Sequence, residues 1–185
     1  MMYRTQNLSR HRSSAPGADA AALASWAYGA CMRLEPIGVL RLAYGAEGFL
    51  LVKPYGGEEG SGWGEGEGTV SGERLNGSVR WMNSPHRRSD AVMLPHAHGI
   101  IRTDDGAPIL FLLEGRTPLE GEEANQQLLR FTFETDDDRY AWLNTAFVVA
   151  EGVIRESELG PGLYVMHAEL YRCVHELEAD PGETS

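Results

Sequence analysis

Through most of the chain apolar and polar residues alternate in short runs, broken roughly every ten residues by glycine, proline, asparagine or aspartate. Residues 32–44 read as a strand interrupted at Pro36, and 49–52 as a short one. In 63–70 glycine takes every second place, which leaves one strand face bare for close approach of backbone or ligand. Strands are expected at 75–82, 92–102, 108–114, 128–134, 146–154 and 163–174. Asp-Gly in Thr103-Asp104-Asp105-Gly106 predicts a hairpin turn between 92–102 and 108–114. Gly160-Pro161-Gly162 predicts the last turn. One helix is expected, over 136–144, with three aspartates in its first turn and Tyr140, Trp142 and Leu143 as its apolar surface. The pattern predicts an all-β fold, a closed antiparallel β-barrel of about eight or more strands with one short helix, because closure leaves no exposed sheet edge.

Composition narrows the partners. A chain of 185 residues suits one domain with a real core. Segment 1–30, with Arg4, Arg10 and Arg12 against Asp19, reads as a disordered extension; 31–177 reads as the barrel and 178–185 as a tail. The formal net charge of -11 makes the body repel phosphate backbones, so nucleic acid is not an expected partner. No run of about 18 apolar residues predicts a membrane span, and a cytoplasmic location is expected. Cys31 and Cys173 form neither a metal motif nor a disulfide framework and read as buried or tolerated thiols. Gly56-Gly57-Glu58-Glu59-Gly60 is glycine-rich but lacks the Gly-Lys-Ser/Thr of a phosphate loop. No cofactor is implied.

Three blocks carry a resemblance: Arg87-Arg88-Ser89-Asp90; Met93-Leu94-Pro95 followed by Gly99, Ile101 and Thr103-Asp104-Asp105-Gly106-Ala107; and Arg139-Tyr140 followed by Trp142-Leu143-Asn144. Together they resemble a bacterial domain-of-unknown-function family of small β-barrel proteins, over roughly residues 32–173. The resemblance implies a single-domain antiparallel barrel with an interior cavity, and a homodimer. It implies no particular activity.

The residues themselves suggest where chemistry lies. His96 and His98 stand two apart on a strand and so share a face; a lumenal pair would shuttle protons near neutral pH. The same pair is an H-x-H metal motif of cupin type if His167 supplies a third ligand. Arg87 and Arg88 with Asp90 form either a clamp for an acidic or carbonyl-bearing ligand at the barrel mouth or a pair that pins the loop. Glu65 and Glu67 become buried carboxylates if their face is the lumen. Asp104 and Asp105 are paired carboxylates or, as turn residues, bond their own backbone. Trp63, Trp81, Trp142, Tyr164 and Tyr171 line a cavity for a flat ligand or simply pack the core. The expectation is a barrel that binds a small organic molecule, acting either as a cofactor-free isomerase, cyclase or lyase with His96, His98, Asp90 and Glu65 moving protons, or as a carrier or sensor. A barrel filled by its own side chains is the third possibility.

Overall fold

The computed structural model describes residues 32–158 and 163–175. The expected extension at 1–30, Cys31, the Gly160-Pro161-Gly162 turn and the tail at 178–185 lie outside the described residues.

The strands are β1 (Arg33–Tyr44), β2 (Leu50–Val52), β3 (Gly60–Ser71), β4 (Gly77–Asn83), β5 (His86–Arg87), β6 (Val92–Leu94), β7 (His96–Thr103), β8 (Pro108–Pro118), β9 (Gln126–Glu134), β10 (Phe147–Glu156) and β11 (Tyr164–Val174). Eight of them close a ring, β1–β11–β10–β9–β8–β7–β4–β3 and back to β1, every pair antiparallel. The closed barrel expected from the pattern is therefore the fold. The short strands β2, β5 and β6 form an annex at one rim, running from β3 through β5 and β6 to β8.

Strand alternation sorts the side chains. Leu40, Leu42, Phe111, Phe131, Phe133 and Leu170 are buried in the barrel, with the Phe131 and Phe133 rings stacked at 5.7 Å. Each fully buried side chain of this size contributes about 1.5–3 kcal/mol of transfer free energy. Arg41, Glu67, Arg80, Arg102, Arg130 and Glu169 face out and are exposed. A charged exterior around an apolar lumen is the reverse of a transmembrane barrel. No helix among the described residues is long and apolar enough to cross a membrane.

One end of the barrel is plugged. The expected helix over 136–144 is instead a 3-10 turn, Ala141–Thr145, with Leu143 buried. Local bonds prevent a regular helix: Arg139 N donates to Asp137 Oδ1 at 3.0 Å, and Asn144 bridges the Thr135 backbone with two bonds of 2.9 Å. Arg74 stacks on Trp142 with its guanidinium carbon 3.9 Å from the ring centre. Asp105 ties the plug to the β7–β8 hairpin. It accepts bonds from Thr103 Oγ1 at 2.6 Å, Arg139 Nη1 at 2.8 Å and Tyr140 Oη at 3.1 Å. Gly106 completes that hairpin at φ 92°.

The expected strand 92–102 is broken at Pro95, which has no N–H for a ladder and separates β6 in the annex from β7 in the barrel.

Candidate functional site

The open end holds a cavity of about 430 Å³. Its polar lining comes from strand ends: Tyr44 from β1, Asn83 from β4, Thr117 from β8 and Gln127 from β9. Tyr44, Asn83 and Gln127 continue the inward-facing phase of their strands one step past the last packed apolar residue, and Thr117 does so two steps past Leu113, with Gly115 between. Phe49, Met93, Leu119 and Ile154 add apolar walls, and the annex brings Lys53, Glu58 and Arg87 to the rim.

Asn83, Thr117 and Gln127 are buried and Tyr44 is half-buried, and most of their polar atoms are paired. Asn83 is 8% exposed; its Nδ2 donates to Tyr44 Oη at 3.1 Å and its Oδ1 accepts from the His96 backbone N–H at 3.0 Å. The Asn83 bond uses a lone pair of the phenol and leaves its proton to be donated. Burial pushes the Tyr44 phenol above its ordinary pKa, and the bond from Asn83 offsets only part of that rise. Tyr44 therefore stays protonated at neutral pH. Gln127 is 5% exposed; its Nε2 donates to Thr117 Oγ1 at 2.9 Å, and its Oε1 has no partner. Whichever way the amide is turned, one buried polar atom is left without a partner.

Of the residues singled out in the sequence, Arg87 and Tyr164 line this cavity. Trp81 lies beneath it, edge-on to the Tyr44 ring with centroids 4.7 Å apart. The others are elsewhere. His96 and His98 are on the outer face, because Ala97, Ile101 and Thr103 occupy the buried phase of β7. Their Nε2 atoms lie 3.2 Å apart, and His96 Nδ1 lies 3.5 Å from Glu114 Oε1. The expectation that these imidazoles look into the lumen is thus corrected. His167, outward on β11, is half a barrel away and cannot complete an H-x-H site. Among the described residues no three His, Cys, Asp or Glu side chains are grouped to hold a metal ion.

Glu65 and Glu67 also face outward, with Trp63, which is 50% exposed. With His98 the two glutamates line an open surface groove. The bare glycine face of β3 turns inward, where the protein's own rings fill it: a Cβ on Gly62 would overlap Phe49, and one on Gly64 would overlap Tyr44. Arg88 pairs with Asp90 on the surface. Tyr171 donates to Glu169 on the outer face. Asp104 and Trp142 are at the plugged end, far from the cavity. Bonds from Thr103, then Tyr140 and Arg139, hold the neighbouring Asp105 carboxyl below its ordinary pKa, as befits a structural clasp.

Sequence reasoning missed Tyr44, Asn83, Thr117, Gln127, Lys53 and Glu58. The first four carried a signal: a polar residue in the apolar phase of an alternating strand, as in Gln127-Leu128-Leu129-Arg130-Phe131. Lys53 and Glu58 lie in a loop that has no periodicity to read.

Residues 32–172 match the family described as protein of unknown function (DUF3237). The chain belongs to the DUF3237 family. A DUF3237 barrel of this shape is similar to a protein of unknown function from Clostridium acetobutylicum ATCC 824, at 23% identity and TM-score 0.66, covering 77% of this chain and all of that one (100%). It is similar to a beta-barrel like protein from Acinetobacter baumannii AYE, at 18% identity and TM-score 0.63, covering 78% and 97%. A structure described as an enzyme from Penicillium herquei matches at 20% identity and TM-score 0.55, covering 77% and 95%. At these identities the likeness is one of fold. No curated protein matches this DUF3237 chain.

Proposed function

We propose that this DUF3237 barrel binds a small organic molecule in the cavity at its open end. The observation that carries the reading is a 430 Å³ cavity whose wall includes Gln127, a side chain only 5% exposed and with one amide atom unpartnered. An unmet buried polar atom costs about 1–3 kcal/mol, so its retention points to a guest that meets it. The volume suits a molecule of one or two rings. The guest lies against Phe49, Met93 and Ile154, accepts a hydrogen bond from the Tyr44 phenol and satisfies Gln127. Proton transfer without a cofactor falls to Tyr44 in this reading, as the acid in an isomerase, cyclase or lyase step. That a neighbour in fold is described as an enzyme supports chemistry on this scaffold. The uncharged depth of the cavity, with Tyr44, Asn83, Thr117 and Gln127, favours a second reading, a carrier or sensor that releases its guest unchanged.

The test is a fragment titration of isotopically labelled protein with cyclic ketones, lactams and carboxylates, followed by amide NMR. Shifts are expected to cluster at Tyr44, Asn83, Thr117 and Gln127. The double variant Thr117→Val with Gln127→Met replaces both partners of a buried bond by apolar groups. It is expected to match the wild type in stability or exceed it by about 1 kcal/mol while losing those shifts. Shifts confined to the outer groove around Glu65 and His98, or none, would overturn the proposal. Among bound fragments, one converted by the wild type and not by Tyr44→Phe marks an enzyme; recovery of every one unchanged marks a carrier.

A further inference from the structure

The rim of the cavity is not neutral. Its charged lining is Lys53, Glu58 and Arg87, two cations and one acid in a protein of net charge -11. The three differ in shelter. The Arg87 side chain is only 12% exposed, whereas that of Glu58 is 62% exposed. Glu58 Oε2 lies 3.0 Å from Lys53 Nζ and contacts Arg87 Nη1, which also donates to the Glu58 carbonyl oxygen at 2.9 Å. Thus the two cations converge on one carboxylate, and that carboxylate comes from the water side.

The backbone makes the acid the movable partner. Arg87 is on β5, held between β3 and β6, and Lys53 directly follows β2. Glu58 is in the β2–β3 loop after Gly56 and Gly57, where an added Cβ would meet nothing within 4 Å. Gly56 takes φ 71°, a turn conformation suited to glycine. If the loop lifts, a sheltered guanidinium and an ammonium are left over the cavity with no other acid among its described lining residues. A guanidinium fork suits a carboxylate and loses more by being left buried and unpaired than an exposed glutamate loses by returning to water.

We propose that the guest of this cavity is a small organic carboxylate, and that Glu58 is its tethered substitute, occupying the Arg87–Lys53 locus until the guest displaces it. The inference rests on the open-end cavity being the binding site and adds the chemical class of the ligand. The ring or chain of the guest fills the apolar walls, its carboxylate replaces that of Glu58 at the rim, and its remaining polar atom reaches Gln127 or Tyr44.

The experiment titrates the labelled full chain with benzoate and, separately, with benzamide, the uncharged counterpart of the same shape. Amide shifts at Tyr44, Asn83 and Gln127 report entry. Benzoate is expected to bind at least about tenfold tighter than benzamide, the effect of one charge-assisted bond. Glu58→Gln removes the competitor and is expected to tighten benzoate about tenfold with benzamide unchanged; its exposed loop position keeps the fold intact. Lys53→Met is expected to weaken benzoate alone. Equal binding of both probes, indifferent to Glu58→Gln, would overturn the carboxylate assignment while leaving the cavity a binding site. A Glu58→Gln variant that binds benzoate more weakly would overturn the substitute role. Shifts from neither probe would overturn both this inference and the reading beneath it.

Discussion

Single side chains at the two ends of this barrel do opposite work. At the open end Gln127 keeps a buried polar atom unmatched; at the plugged end Asp105 and Asp137 are saturated with donors. Asp137 takes two bonds from the Arg139 side chain, of 2.9 and 2.7 Å, which hold its carboxyl down from 3.8 to about 2. A carboxyl whose pKa is lower in the folded chain stabilises the fold above its unfolded value and ceases to as pH falls through the folded one. The Asp137 contribution is thus whole at neutral pH and drains away between about pH 4 and 2. Thermal melts across that range are expected to show a shallower acid limb for Asp137→Asn than for the wild type, together with a lower melting temperature at pH 7. Equal limbs would mean that Asp137 is paired as strongly in the unfolded chain.

At the level of the strand, the instructive element is β3. Its inward row of Gly62, Gly64, Gly66 and Gly68 lets β1 and the Tyr44 and Phe49 rings approach the backbone closely. A Cβ on Gly66 would overlap the Ala43 carbonyl oxygen, which belongs to the partner strand and cannot swing aside. Gly66→Ala is therefore expected to lower stability by about 3 kcal/mol in denaturant unfolding. Thr69→Ala, on the outer face of the same strand, is expected to stay within about 0.5 kcal/mol. The strand count, the Asp-Gly hairpin and the barrel closure were legible in the sequence, because period-two alternation and turn residues are local signals. The phase of each strand was harder to read. On β7 both faces carry an isoleucine, Ile100 or Ile101, so apolarity alone does not choose between them. Arg102 shares the histidines' face, and its charge was the available clue that this face meets water. On β3 neither the glycines nor the glutamates declare the core. The cavity was invisible for a different reason: it is assembled from the last inward residue of several strands, distant in sequence and joined only by closure.

For the molecule as a whole, the blocks that carried the family resemblance divide between the two ends. Thr103, Asp105, Arg139 and Tyr140 clasp the plug, and Arg87 belongs to the rim of the cavity. Leu143, with no exposed surface (0%), is the stopper of the closed end. Leu143→Ala is expected to cost about 3 kcal/mol by opening a void there, with fragment affinities at the other end held within about twofold, since distant sites act independently. A large loss of affinity in that variant would show that the two ends are coupled through the phenylalanine core. One further consequence follows from Lys53, the chain's only lysine, at the rim of the cavity. An amine-reactive ester finds a single side-chain target in the whole protein. The rate at which that side-chain amine is acylated becomes a footprint of whatever occupies the barrel, readable from the mass of the peptide that carries Lys53 without any engineered label.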